Sequence, residues 1–354
     1  MLKLLKLAPA TGRQTVKRNA AHFSKEEPTQ SAVPRTIATW LQATTAQITA
    51  TEVSLESGMQ EACLEAEFLV YHALLRVIST SEAAQLRSEG GDQRQVAQVL
   101  ARWRKWLQRE PPPGFAVILT EFLHKRLQQR LPAAYVVGEA PFAGHLFLVT
   151  PDVLIPRSRI ENMLADRHKL SQLFGKKRPK RILDVGTGSG CLAIAFAWAF
   201  PEAKVDGVDL SAAALAVAQA NGRRFKLEGR IEWHQSDLYA QLGQRRYDLI
   251  VSNPPYVDAQ GMATLPVEYQ QEPVLALAGG VDGLAVVEPL LRQAADHLTT
   301  DGLLICEVGD DTEQHFRQRW PELRVEWVPF HFGASGVFIA RRESLAAWAA
   351  RLTP

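Results

Sequence analysis

The sequence predicts an α/β protein in which a doubly wound, mostly parallel, Rossmann-like sheet follows a smaller N-terminal helical domain, the two joined by a β-hairpin. Three observations carry this. The chain has 354 residues, more than one core of about 100 to 200 residues usually organises. From Arg181 onward, short β-branched runs alternate with helix-periodic segments: "RILDVG", "CLAIAFAWAF", "KVDGVDL", "AALAVAQANG", "RIEWHQSDL", "YDLIVSN", "VVEPLLRQAADHL", "GLLICEVG". Such alternation builds parallel sheets with crossover helices. Ahead of the hairpin, apolar residues recur only at helical spacing.

In chain order, residues 1–35 read as a flexible basic arm. Met1 to Lys25 carries Lys3, Lys6, Arg13, Lys17, Arg18 and Lys25 with no acid, the composition of an import leader, but it lacks the apolar core and cleavage site of a secretory signal. Organellar import therefore stands as an alternative to a cytoplasmic address. Residues 36–134 form the helical domain, expected to recognise the substrate. Ala62, Ala66, Leu69 and Ala73, or Phe68, Tyr71, Leu74 and Leu75, fall on helix faces. "RSEGGDQRQ" interrupts, "VAQVLARWRKWLQRE" resumes, "PPPG" at Pro111 to Gly114 stops it, and a last helix spans about Ala116 to Arg130. "AAYVVGEAPFAGHLFLVTPDVLIP" turns to β-branched and aromatic residues with Gly138 and Gly144 as turn points, so residues 135–160 are read as the hairpin linker. The sheet domain occupies 161–345 and residues 346–354 a C-terminal tail.

Composition narrows the class. Apolar residues make up 46%, and Lys+Arg 40 against Asp+Glu 38 leaves a net charge of +2, which makes no demand for nucleic acid. Cys63, Cys191 and Cys306 are odd in number and far apart, arguing against a disulfide framework or a zinc site and for a reduced interior. The longest apolar run, Cys191 to Phe200, is about half a membrane span. His124, His145 and His331 lack partners at metal spacing and are read as surface or core. "RWRKW", Arg102 to Trp106, interleaves cations and rings like an RNA patch, yet at helical spacing its tryptophans are expected in the core.

The chemistry concentrates at strand ends. "ILDVGTGSGCLAIA" sets Asp184 and the turn Gly186-Thr187-Gly188-Ser189-Gly190 where a strand enters a helix, letting a ligand approach backbone N–H groups at the carboxyl edge of the sheet. The spacing differs from the dinucleotide fingerprint. Asp209 closes the next strand, placed to accept from a ribose diol, and Asp237 with Leu238 follows the third, where the carboxylate can accept from an adenine amine. Three acids and a glycine turn suit a cationic adenosine ligand, S-adenosyl-L-methionine, better than a pyrophosphate. "YDLIVSNPPYVD" then ends a buried strand on Asn253-Pro254-Pro255-Tyr256. Neither proline has an N–H, so the corner offers carbonyl acceptors and one Asn amide, a pocket for a guest that donates, such as an NH2 group. Glu307 in "CEVG" ends a further strand and is read as a structural acid with a possible role at the site.

These strings, with "LPVEYQQEP" and "LALAGGVDGL", make residues 115–340 resemble the N5-glutamine protein methyltransferases, and "IPRS" at Ile155 to Ser158 is similar to the branch acting on ribosomal protein L-three. The resemblance implies a class I methyltransferase sheet and Asn253, Pro254, Pro255 and Tyr256 as catalytic residues. The Asn253 side-chain oxygen and the Pro254 carbonyl would each take one amide N–H, and the Tyr256 ring would pack on the amide or the sulfonium side. Arg159 departs from the proline expected there. Methylation of release factors, and of adenine N6 in DNA, remain as alternatives. The expected partner is the large-subunit protein L-three, met during ribosome assembly, with no membrane and no direct nucleic-acid contact.

Overall fold

The computed structural model describes residues 34–55, 59, 61–87, 93–165, 167–175, 177–330 and 336–352; the basic arm's Met1–Lys25 run and His331 lie outside them. Two compact units divide the chain, one running through Gln129 and the other starting at Arg130.

The first unit is helical: α1 (Ile37–Ala50), α2 (Ala62–Leu75), α3 (Thr80–Leu86), α4 (Gln93–Leu107) and α5 (Phe115–Leu123), the last continuing into a π-helical turn, His124–Gln128. Thr36 and Ser79 start α1 and α3 with capping boxes, each satisfying two otherwise orphaned donors. Helix α2 is buried continuously from Glu65 to Leu74, so its two acids need partners. Glu65 pairs with Arg126 at 2.7 Å with both side chains fully buried, and Glu67 accepts from the Trp103 indole N–H at 2.7 Å. Trp103 is thus core, as its spacing predicts, while Arg102, Arg104 and Lys105 are exposed.

The second unit opens with a difference from expectation. "AAYVV" forms a short helix, α6 (Ala133–Val137), instead of a strand. Pro132 precedes it, and Gly138 ends it at φ 82, donating to the Ala134 carbonyl. A short apolar run between proline and glycine carries no period of its own, so tertiary burial decides. The hairpin follows as β1 (Glu139–Phe142) and β2 (His145–Leu148). After α7 (Ile160–Ala165) and α8 (Arg167–Phe174) come β3 (Arg181–Val185), α9 (Cys191–Ala199), β4 (Lys204–Asp209), α10 (Ala212–Arg224), β5 (Ile231–Gln235), β6 (Tyr247–Ser252), α11 (Ala259–Thr264), α12 (Val287–His297), β7 (Leu298–Glu307), α13 (Asp310–Arg319), β8 (Glu326–Trp327), β9 (Val337–Arg341) and α14 (Arg342–Leu352).

The seven strands lie in the order β5-β4-β3-β6-β7-β9-β8. All pairs from β5 to β7 are parallel, and β9 runs antiparallel between β7 and β8. Alternate strand residues feed two cores, as a sheet covered on both faces requires. Leu183, Val185 and Ile250 join the α12, α13 and α14 side, whereas Ile182, Leu249 and Val251 join the α9 and hairpin side. Residues 346–352 are no tail: they continue α14, whose Leu345 and Trp348 are buried in the first of these cores. A lone amphipathic turn near a terminus shows its partner only in three dimensions. The chain order reverses across β3, so the carboxyl ends of β3, β4 and β6 open a crevice at the switch point.

Candidate active site

One cavity sits in that crevice. It is lined by the turn from Val185 to Ser189, by Asp209, by Asp237 and Leu238, by Asn253 and Pro255, and by the 152–158 and 273–276 loops. Four strand ends far apart in sequence, those of β3, β4, β5 and β6, therefore meet there with two loops.

The glycine turn is built for a close guest. Gly186 and Gly188 have φ of 71 and 54, the left-handed region glycine adopts without a Cβ clash. A Cβ at either would meet no protein atom within 4 Å, which leaves bare backbone facing open space. Gly190 differs and does not line the cavity: its Cβ would lie 2.8 Å from the Trp233 ring, so that glycine serves packing.

Asp184 also departs from the expected role. It is fully buried beneath the turn, where Oδ2 accepts from the Thr187 hydroxyl at 2.6 Å and from Ala193 N–H at 3.0 Å. Its Oδ1 has no partner. Burial pushes this carboxyl up to about 7. Asp184 thus braces the turn from below and does not line the cavity; Thr187, which does, spends its hydroxyl on that brace.

Asp209 is where a ribose acceptor is wanted. Its Oδ2 accepts from Gly188 N–H at 2.8 Å and its Oδ1 from Ser211 N–H at 2.9 Å. Burial raises its pKa, opposed by these N–H donors. The two bonds fix the carboxylate and tie the glycine turn to β4, and each oxygen keeps a second lone pair for a ligand. Asp237 is exposed at the cavity rim, and Leu238 follows at φ 47.

The end of β6 supplies the acceptor. Asn253 lines the cavity, and its Oδ1 is shielded from solvent and has no hydrogen-bond partner. Pro255 lines the same wall, whereas Pro254 is buried and neither Pro254 nor Tyr256 lines the cavity. Tyr256 is held instead by its surroundings: Thr312 Oγ1 donates to its carbonyl at 2.7 Å, and its hydroxyl stands 3.5 Å from Glu307.

Polar residues that sequence reasoning left without a role complete the frame. Asn221 in α10 is fully buried, accepts from Leu148 N–H at 2.8 Å, and donates to the carbonyls of Leu148 and Ser189. It clamps the hairpin to the glycine turn. Glu272 accepts from Ile155 N–H at 2.9 Å and from Arg157 at 2.8 Å. Burial works against the Arg157 charge, but Glu272 outweighs it and raises the Arg157 pKa. The only sequence signal for either was a polar residue inside an apolar or proline-marked string. Arg159, which stands where proline was expected, makes a two-pronged pair with Asp310 at 2.5 and 2.9 Å, restraining the loop by charge in place of a ring.

Among the described residues, one cluster has metal-ligand types, Asp206, Glu232 and His234. The Arg245 guanidinium already lies 3.1, 3.4 and 3.0 Å from them, filling the place of a cation. His145 packs on Trp198 with ring centroids 4.1 Å apart, and His124 is exposed.

A glycine turn with bare backbone after β3, a fixed carboxylate after its neighbour β4 and an unpartnered acceptor after its other neighbour β6, on a sheet with one antiparallel strand, define an S-adenosyl-L-methionine-dependent methyltransferase of class I. The methyltransferase small domain family matches residues 168–268. The ribosomal protein uL3 glutamine methyltransferase of Bradyrhizobium diazoefficiens is 46% identical over 225 residues, 62% of this chain and 70% of the relative. That of Xanthomonas campestris pv. campestris is 44% identical over 229 residues, 65% and 73%. A solved 16S rRNA methyltransferase of Thermus thermophilus with AdoMet and guanosine is 20% identical, with a TM-score of 0.41 over 57% of this chain and 49% of that one. The chain belongs to the ribosomal protein uL3 glutamine methyltransferase family.

Proposed function

We propose that the protein methylates the side-chain amide nitrogen of a glutamine in ribosomal protein uL3, the L-three of the sequence reading. The observation that carries this is Asn253 Oδ1: a buried acceptor without a partner is costly to maintain unless a donor arrives, and a primary amide is such a donor. The bound S-adenosyl-L-methionine supplies a methyl group on positive sulfur. Gly186 and Gly188 would receive it on bare backbone, Asp209 would accept from its ribose, and Asp237 would accept from its adenine amine.

A glutamine amide is a weak nucleophile because its lone pair is delocalised into the carbonyl, so catalysis must orient it. Asn253 Oδ1 takes one amide N–H, with a backbone carbonyl of the Asn-Pro-Pro-Tyr corner as second acceptor, and aims the nitrogen at the methyl group. As the new N–C bond forms, the methyl–sulfur bond would break and the donor would leave as neutral S-adenosyl-L-homocysteine, so positive charge passes from sulfur to nitrogen. Acceptors at its protons stabilise that charge more in the transition state than in the ground state. The surplus proton leaves to water.

The helical unit that ends at Gln129 is assigned to recognition of the acceptor protein, which the enzyme meets in the cytoplasm during ribosome assembly without contacting nucleic acid directly. Curated relatives carry the uL3 name, so neither the release-factor nor the adenine-N6 alternative is retained. The test is transfer of labelled methyl to purified uL3, a release factor and adenine-containing duplex DNA side by side. Label on a glutamine of uL3 alone is expected; label on either other acceptor, and not on uL3, refutes the proposal.

A further inference from the structure

Glu307 has no part in the account so far, yet its surroundings are unusual for a structural acid. It is 3% exposed and ends β7. Because Ser252 of β6 pairs with Cys306, Asn253 and Glu307 leave neighbouring parallel strands at the same level. One carboxylate oxygen accepts from the Ser158 hydroxyl at 2.5 Å and from Arg159 N–H at 2.9 Å. The other faces the Tyr256 hydroxyl at 3.5 Å.

These contacts straddle the acceptor side of the cavity. Ser158 lines it on one wall, and Pro255, joined to Tyr256, lines it on the other. Tyr256 is otherwise confined by small residues. A Cβ at Gly309 would lie 3.0 Å from its ring, and one at Gly279 2.8 Å from its Cα. The ring therefore lies close against Gly309, and its hydroxyl is 3.5 Å from Glu307.

We infer that Glu307 is a positioning residue for methyl transfer: one buried carboxylate that holds the Arg157–Arg159 loop and the Asn-Pro-Pro-Tyr corner in mutual register, so that the acceptor amide is aligned with the methyl group. It lies outside the cavity lining and acts through Ser158 and Tyr256. This rests on the proposed glutamine transfer and adds to it the residue that fixes the geometry between the two walls.

The physical consequence is specific. Losing the carboxylate frees both walls while leaving the glycine turn and Asp209 bonded as before, so alignment suffers and cofactor binding does not. A displacement of about 1 Å at a reacting pair costs about 100-fold in rate.

The experiment uses the full-length enzyme and uL3, reading kcat and KM by labelled methyl transfer and S-adenosyl-L-homocysteine affinity by calorimetry. Glu307→Ala is expected to lower kcat about 100-fold with homocysteine-ligand affinity unchanged. Glu307→Gln, which keeps an acceptor oxygen for Ser158 and Arg159, is expected to recover most of the rate. Wild-type kcat in Glu307→Ala, a parallel loss of rate and affinity, or a Glu307→Gln as slow as the alanine variant each overturns the inference. Should Glu307→Ala fail to fold, Ser158→Ala removes one of the bonds and leaves the Arg159 N–H in place; a lowered kcat supports the assignment and an unchanged one overturns it. If the wild-type enzyme labels another acceptor, the uL3 assignment fails, and the same variants measured on that acceptor still decide the role of Glu307.

Discussion

Asn253→Ala separates activity from stability more cleanly than any other change at this site. The side-chain oxygen is buried without a partner, so truncation forfeits no bond to the protein at that atom. It also removes a desolvated acceptor, whose unsatisfied burial costs about 1 to 3 kcal/mol. The thermal midpoint should therefore hold or rise. Activity should behave oppositely, because the oxygen is reserved for an amide proton whose charge grows during transfer. Removing one preorganised polar group of this kind costs about 3 kcal/mol of transition-state stabilisation, or about 100-fold in kcat. The assay combines single-turnover methyl transfer to uL3, calorimetric binding of S-adenosyl-L-homocysteine, and a melting curve. A variant that melts several degrees lower with kcat reduced only in proportion to its unfolded fraction would refute the reasoning, since Asn253 would then be a structural cap on β6.

Three further outcomes follow from the geometry. Asp209→Asn keeps one oxygen for the backbone donors but removes the charge, so S-adenosyl-L-homocysteine should bind about tenfold more weakly by calorimetry; unchanged affinity counts against its ribose role. Asp184, pushed up to about 7 by burial against an unfolded value near about 4, binds its proton more tightly when folded, so stability is full at low pH and falls as pH rises from about 4 through about 7. Melting curves across that window should show the fall in wild type and a flatter profile in Asp184→Asn. Gly207→Ala would set a Cβ 2.6 Å from two atoms of the Trp233 ring, an overpacking worth about 1 to 3 kcal/mol in denaturant unfolding, and Trp233→Leu in the same chain should relieve it.

Much of the sheet was legible because a parallel strand buried on both faces must be apolar along its length, as "RILDV" and "YDLIVS" are, and because ligand-facing residues follow such strands at their carboxyl ends. Asp209, Asp237 and Asn253 line the cavity at such strand ends, where their position in the sequence puts them. Asp184 could not: whether an acid on a strand faces a ligand or braces the turn beneath it depends on which side of the loop its rotamer points, and here it points to Thr187 and Ala193. Gly190 shares the pattern of Gly186 and Gly188 but answers to Trp233, a residue 43 positions away on β5. Helices α6 and α14 were missed for a related reason, since their short apolar faces have meaning only against a partner.

Sequence alone determined the class of fold, the order of strand ends and the absence of an N–H at Pro254 and Pro255, because side-chain period and the missing N–H of proline are local properties of the chain. Only tertiary structure decided which polar groups are spent on one another and which are left over. Glu272 and Arg157, Glu307 and Ser158, and Asn221 and Leu148 lie between 73 and 149 residues apart, and long-range pairs of this kind exist only once the chain is packed. Their pairing consumes many of the donors and acceptors around the cavity and leaves two carbonyl-type oxygens, Asp184 Oδ1 beneath the turn and Asn253 Oδ1 on a cavity-lining residue, without a partner; the second is the one a donating substrate can use.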